Sequence, residues 1–312
     1  MTKKRVVVLM GGRSSEREVS LASGREVLNY LNPDRYAVES LDPATDLSIL
    51  VSRASEFDVA FPALHGPLGE DGTIQGLLEL LFIPYVGSGV LSSALCMDKA
   101  ATKNVYRNNN LPVADDMVVS KGADPGLSAK KAVEALGAPV VVKPLNQGSS
   151  VGLTIASDWA EAAKALGEAW KLYPTALIER YASGRELTVA VLGNRECRAL
   201  PPIEIVPGDE HKFFDYVAKY TPGQAQEICP ARLTPEETSK VSELAVAAHM
   251  ALNCRGLSRT DFILSEKGEY FLLETNTLPG MTSNSLLPKA AAAAGLPFGE
   301  LLDELISLAL EK

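Results

Sequence analysis

The 312-residue chain has few cysteines, few histidines, a deficit of basic charge and no long apolar run. Its four cysteines, Cys96, Cys197, Cys229 and Cys254, are scattered without a C-x-x-C pair. That pattern fits free thiols in a reducing, cytoplasmic compartment, with buried packing as the role expected of each. No stretch approaches the ~18 apolar residues of a spanning helix, and Val6 to Met10 is too short for a signal-peptide core and ends at Gly11-Gly12. Lys and Arg number 30 against 39 Asp and Glu, a formal net charge of -9, and no basic run exists beyond Lys3 to Arg5. This balance argues against a nucleic-acid or anionic-membrane partner while allowing a small anionic substrate. The three histidines, His65, His211 and His249, show no Ser-His-Asp or Cys-His spacing. There are no internal repeats, and VVVLMGG is not followed by G-x-G-x-x-G, which disfavours a dinucleotide-dependent dehydrogenase. What remains is 46% hydrophobic and 22% charged residues, ordinary for a globular enzyme, in a chain long enough for two or three domains.

The first third alternates strand and helix: RVVVLM, a helix from about Ser15 to Leu31, FDVAFPAL, a helix near Thr73 to Leu80, and IPYVG. This is the pattern of a parallel α/β unit. Ser15 and Glu18 have capping-box spacing, which places Glu16 in the first turn, where an acid also complements the helix dipole. The middle third is mixed: helices KAATKNVYRNN and SAKKAVEALG, strands PVVVKP and GLTIA, a helix from Asp158 to Leu172, and strand TALIERY. The last third carries strands ELTVAVLG and RALPPIEI, a loop near Asp209 to Gln226 long enough to be a lid or binding loop, and a helix from Pro235 to Asn253. A hairpin from Ser258 to Asn276 follows, then one or two amphipathic C-terminal helices.

Chemistry concentrates in that hairpin. If Lys267-Gly268 form its loop, Asp261 sits opposite Glu274 and Arg259 opposite Asn276, with Glu274 and Asn276 on one face and Asp261 about 5 Å across from them. Two acids and an amide suit a hard cation such as Mg²⁺; a solvated face with an Arg-Asp pair is the alternative. Lys143 ends an apolar strand before Asn146, Gln147, Gly148, Ser149, Ser150, Val151 and Gly152, a loop able to cradle phosphate or to be a plain Gly-Ser turn. Lys99 starts a helix, where a surface role is the default. Glu179 leads into the Ser183-Gly184 turn with Glu186 beyond it, a junction able to read an adenine edge and a ribose, or else a set of surface ion pairs. His65 lies in HGPLGEDG at the carboxyl edge of the parallel sheet, where ligands bind in such folds. Arg259 and the backbone of Gly280 could hold an oxyanion, or Arg259 could simply neutralise Asp261.

Seven segments in order resemble the D-alanine:D-alanine ligase family of ATP-grasp enzymes over essentially the whole chain: GGRSSEREVSLASG, LHGPLGEDGTIQG, MDKAATK, VVKPLNQGSSVG, IERYASGRELTV, DYVAKY, and the run from Arg259 to Leu286. The resemblance implies an α/β and α+β, three-domain ATP-grasp fold with an N-terminal parallel α/β domain, divided as 1-97, 98-185 and 186-312. It implies ATP-dependent joining of two D-alanines through a D-alanyl phosphate, with D-alanyl-D-lactate or D-alanyl-D-serine synthesis, or a non-catalytic nucleotide-binding module, as alternatives. Lys99, Lys143, Ser150 and Lys219 then look like ATP-phosphate contacts, Glu179, Arg180, Tyr181 and Ala182 the adenine strand, and Glu186 the ribose acid. Asp261, Glu274 and Asn276 correspond to ligands of two Mg²⁺ ions, with Mn²⁺ able to substitute. Glu16 matches the acid that holds the first D-alanine's ammonium, with Ser149 and Tyr220 as its partners and His65 nearby. Arg259 and Gly280 match the oxyanion site, and Ser285 with Leu286 the second carboxylate site. Tyr220 looks like the peptide-forming type. The resemblance also implies a homodimer.

Overall fold

A computed structural model of the protein describes residues 2–146, 151–208 and 225–311. The first sheet is parallel, with β1 (Lys4–Leu9) between β2 (Tyr36–Leu41) and β3 (Val59–Pro62). Val6 to Leu9 are all fully buried, as a parallel strand covered on both faces requires. Their side chains alternate between two cores. Val7 and Leu9 meet α2 (Leu47–Ser52) and α3 (Thr73–Leu80) through Leu50, Ile74 and Leu78. Val6 and Val8 instead join Leu287, Leu301, Leu302, Leu305 and Ile306 from the far end of the chain.

Three expectations for this region change. The helix after Gly11-Gly12, α1 (Arg17–Tyr30), has no capping box: Glu16 is its N-cap and makes no side-chain cap. Ser14 rather than Ser15 organises the turn, its hydroxyl accepting the Glu16 N–H at 3.2 Å and donating to the His65 carbonyl at 2.6 Å. That pins Glu16 outside the helix. IPYVG shrinks to a single bridge between Tyr85 and Ala60. The sequence reading assigns no element to Tyr36–Leu41, whose Glu39 and Ser40 interrupt the apolar pattern, yet it is an edge strand.

After α4 (Val90–Met97) and α5 (Lys99–Asn108) comes a four-stranded antiparallel sheet ordered β4 (Asp116–Ser120), β7 (Thr175–Arg180), β5 (Val140–Pro144), β6 (Thr154–Ala156). Helices α6 (Pro125–Leu136) and α7 (Trp159–Leu172) seal it with their own apolar cluster. Asp158 caps α7 by accepting the Ala160 and Glu161 N–H groups, so the helix starts one residue after the acid.

The largest sheet has β8 (Arg185–Gly193) flanked by β10 (Ile203–Pro207) and β12 (Gly256–Leu264), with β11 (Ala225–Ile228) and β13 (Tyr270–Asn276) outside them and β9 (Cys197–Ala199) also on β8. RALPPIEI is therefore two strands, because Pro201-Pro202 cannot donate to a ladder. Helix α8 (Pro235–Ala251), opened by a Thr234–Glu237 capping box, covers this sheet. Two C-terminal helices, α9 (Leu286–Ala293) and α10 (Phe298–Ala309), return to the first sheet. Of the loop expected over Asp209 to Gln226, the last two residues belong to β11 instead; the rest, with Lys219, Tyr220 and His211, lies outside the described residues, as do Gln147, Gly148, Ser149 and Ser150 of the phosphate loop.

Candidate active site

The β12–β13 hairpin puts Arg259 opposite Asn276 and Asp261 opposite Glu274. The route to that register differs from the expected two-residue loop. The loop is three residues, 266–268, closed by Ser265 N–H to the Glu269 carbonyl at 2.9 Å and turned by Gly268 at φ 78°. Left alone, this would slip the acids by one position. A β-bulge between Asp261 and Phe262, with Leu273 as the extra residue, restores it; bulges of this kind re-aim side chains beside active sites. Thr260 and Thr275, on the opposite face, hydrogen-bond each other at 2.7 Å, and the Tyr106 hydroxyl meets Thr275 at 2.5 Å, anchoring the hairpin from behind.

On the acid face, Asp261 is 7% exposed. It accepts from Thr188 Oγ1 at 2.5 Å and from Arg259 Nε and Nη2 at 3.1 and 3.2 Å. The Arg259–Asp261 pair therefore forms, and it orients the guanidinium. Asn276 Oδ1 accepts the Leu278 N–H at 2.9 Å. Lys99 Nζ lies 3.6 Å from Glu274 Oε2. Among the described residues no group of three His, Cys, Asp or Glu is placed to hold a metal; the set here is two carboxylates and an amide, all-oxygen donors of the kind a hard divalent cation takes.

Lys99 is not a surface lysine. It is 8% exposed and sits one residue after Asp98, which caps α5 by accepting the Ala101 N–H. The buried face of α5 is polar: Lys99, Thr102, Lys103 and Tyr106. Lys143, on β5, contacts Glu179 Oε1 on the neighbouring β7 at 2.6 Å, while Lys103 Nζ holds Oε2 at 2.8 Å. Burial by itself would raise the Glu179 pKa, but Lys143 and Lys103 outweigh it and hold the carboxyl at about 2. Burial likewise opposes the charge on Lys143, yet Glu179 and Glu274 raise its pKa above the ordinary lysine value. Glu179 is thus ion-paired and buried rather than at the surface. Arg180 is half-exposed and pairs with Asp115 at 3.4 Å; the Tyr181 N–H is committed to the Pro139 carbonyl at 3.2 Å. Ala182 is partly exposed, and Glu186 is opposite Ile205 and Ile263 on β8.

At the carboxyl edge of the first sheet, Glu16 faces Gly66 so closely that a Cβ there would fall 2.7 Å from Glu16 Oε2, and Gly66 has φ 73°. His65 is 7% exposed, with Nε2 3.1 Å from Ser23 Oγ and Nδ1 3.4 Å from Glu70 Oε1. Burial pushes the Glu70 carboxyl above its usual range, against the pull of His65. Ser23 Oγ also accepts the Met281 N–H at 3.3 Å, which ties this edge to the segment carrying Gly280, Ser285 and Leu286. Ser285 is the N-cap residue of α9, and its Oγ accepts the Thr282 N–H at 3.1 Å. A Cβ on Gly280 would lie 2.8 Å from that Oγ. A partly exposed helix start beside a bare glycine backbone is suited to a carboxylate.

The structure therefore joins Lys99, Lys143, Glu179, Arg259, Asp261, Glu274 and Asn276 around one hairpin, and Glu16, His65, Gly280 and Ser285 around the edge of the first sheet. Sequence reasoning missed Ser23, Glu70, Lys103 and, 3.2 Å from the Lys103 ammonium, Asp116. For Lys103 a signal existed: Lys99, Lys103 and Tyr106 have i, i+4, i+7 spacing and so share a helix face.

Comparison with known proteins agrees with this geometry. A family model described as D-ala D-ala ligase C-terminus matches residues 105–307, and one described as D-ala D-ala ligase N-terminus matches 44–88. A D-alanine--D-alanine ligase of Syntrophobacter fumaroxidans is 53% identical over 309 residues, covering 99% of this chain and 98% of that protein. Among solved structures, a Bacillus anthracis D-alanine--D-alanine ligase complexed with ATP is 34% identical with a TM-score of 0.86, covering 98% of this chain and 97% of that one. The VanG D-Ala:D-Ser ligase of Enterococcus faecalis is 32% identical with a TM-score of 0.87, covering 99% and 100%. With the matching segments in order along nearly the full length, this chain belongs to the D-alanine–D-alanine ligase family of ATP-grasp fold.

Proposed function

We propose that the protein joins two D-alanine molecules into D-alanyl-D-alanine, a peptidoglycan precursor, with conversion of ATP to ADP and phosphate. The observation that carries the reading is the hairpin, where Asp261 faces Glu274, Lys99 approaches Glu274, and Lys143 feels the charge of Glu274. Ammonium groups beside an oxygen-donor set suit a nucleotide phosphate with its cation.

In this reading Lys99 and Lys143, with Ser150 and Lys219, hold the ATP phosphates; Glu179, Arg180, Tyr181 and Ala182 border the adenine and Glu186 the ribose. Asp261, Glu274 and Asn276 would hold two Mg²⁺ ions, or Mn²⁺ in their place. Such ions, when bound, offset phosphate charge during transfer. Glu16 takes the ammonium of the first D-alanine, with Ser149, Tyr220 and His65 around it. The carboxylate of that D-alanine attacks the γ-phosphorus, the bond to the β-phosphate oxygen breaks, and ADP leaves. The amine of the second D-alanine, its carboxylate held by Ser285 Oγ and the Leu286 N–H, adds to the acyl phosphate carbon. The resulting oxyanion faces Arg259 and the Gly280 N–H; the carbon–oxygen bond to phosphate then breaks and the nitrogen loses its proton. Catalysis is positioning and charge neutralisation.

The proposal takes the chain as segments 1-97, 98-185 and 186-312, in a cytoplasmic homodimer acting on small molecules without nucleic-acid or membrane partners. No helix among the described residues is long and apolar enough to cross a membrane. The test is product identification by mass after incubation with ATP, Mg²⁺ and D-alanine, alone or with L-alanine, D-serine or D-lactate. D-Alanyl-D-alanine as the main product throughout is expected; a predominance of D-alanyl-D-serine or D-alanyl-D-lactate overturns the assignment of the second substrate, and ATP binding without any product favours a non-catalytic module.

A further inference from the structure

Lys103 has no role in the reading given above, yet it is among the most buried side chains of the molecule, 1% exposed. Its ammonium lies between two acids, 2.8 Å from Glu179 Oε2 and 3.2 Å from Asp116 Oδ1. Beyond Asp116 the chain of charges ends at the partly exposed Arg107, and beyond Glu179 it ends at Lys143. Desolvating a lysine is costly unless it is paired and hydrogen-bonded, so a lysine in this place holds its neighbours as firmly as they hold it. The two oxygens of Glu179 are divided between Lys103 and Lys143. One face of α5 therefore reaches both halves of the nucleotide region, Lys99 toward Glu274 and Lys103 toward the acid that fixes Lys143.

We propose that Lys103 is a positioning residue for ATP: by holding Glu179 Oε2 it keeps Oε1 on Lys143 and fixes the Lys143 ammonium where the nucleotide phosphates bind. The proposal rests on the ligase reading of this site. It requires that loss of Lys103 act on ATP and not on the amino-acid sites, which that reading assigns to Glu16, Ser285 and other groups than the two acids Lys103 holds.

Lys103→Met leaves Asp116 and Glu179 without the cation between them, so the double variant Lys103→Met/Asp116→Asn, which removes one charge of each sign, is made beside it. Binding of a non-hydrolysable ATP analogue with Mg²⁺ is measured by calorimetry, and KM for ATP and for D-alanine by phosphate release. We expect about a tenfold or greater loss of analogue affinity in both variants, with KM for ATP raised in step, KM for D-alanine within about twofold of wild type, and Lys103→Arg within about threefold. Recovery of wild-type affinity in the double variant would overturn the proposal, since Lys103 would then only balance buried charge. Analogue binding unchanged in Lys103→Met would also overturn it while leaving the ligase reading intact. Absence of binding in wild type would sink that reading itself.

Discussion

Single residues at this site are held by charge, and their titration exposes it. Glu179, with its carboxyl held at about 2 between Lys143 and Lys103, against an ordinary 4.5, favours the folded state at neutral pH. Because the folded value is the lower one, this contribution is present above about pH 4.5 and is lost as pH falls from there through about 2. Glu179→Gln is expected to lower unfolding free energy at pH 7 by on the order of 3 kcal/mol. The gap to wild type should narrow between pH 5 and 3 in denaturant titrations; a gap independent of pH would contradict the ion pairing. At the acids proposed to hold the metal, Asp261→Asn and Glu274→Gln should each cut turnover at least about 100-fold at low Mg²⁺, a scale set by the loss of one charge-stabilising group. Near-normal activity in either would remove that residue from the site. For the role proposed for Tyr220, Tyr220→Phe should gain activity with D-lactate as second substrate; an unchanged ratio of D-alanine to D-lactate use would refute the peptide-forming reading of that tyrosine.

At the scale of elements, the hairpin shows both how legible the sequence is and where it stops being so. Period-two alternation in TDFIL and EYFLLETN gives two strands and the facing acids, and the structure has them. The loop and the bulge are two offsetting departures that alternation alone does not reveal, since each moves the register by one residue. They carry different weights. Gly268, at φ 78° with open space around it, should tolerate Gly268→Ala at about 1 kcal/mol, with activity retained. Deletion of Leu273 leaves Asp261 opposite Glu274 in an unbroken ladder but removes the bulge that re-aims the acids, so the protein should fold with turnover lowered, a larger loss than at Gly268. Helix α5 gives the converse lesson: its positions were readable but its meaning was not, because a buried helix face is expected to be apolar and this one carries two lysines and a tyrosine hydroxyl. Ser15 and Glu18 had capping spacing, but Ser14, bonded to the His65 carbonyl 51 residues away, set the helix start. Such long-range contacts leave no periodic trace.

Across the whole molecule, the first sheet and the last helix share one apolar cluster, while the four-stranded sheet with α6 and α7 has its own. The N-terminal and C-terminal segments are therefore coupled through Leu305 and its neighbours. Leu305→Ala, at a fully buried position, should cost about 2–5 kcal/mol and speed amide exchange in β1 and β3 as well as α10, leaving α6 and α7 as in wild type. Exchange confined to α10 would deny the coupling. That coupling matters because the proposed reaction draws on both ends of the chain, Glu16 and His65 from one and Arg259, Gly280 and Ser285 from the other. Its central step is transfer of phosphate to the first D-alanine's carboxylate, and it can be read from one atom. With D-alanine labelled by ¹⁸O in both carboxylate oxygens and ATP unlabelled, the account predicts that each phosphate released with D-alanyl-D-alanine carries one ¹⁸O. Unlabelled phosphate accompanying dipeptide would show that no acyl phosphate forms and would contradict the mechanism.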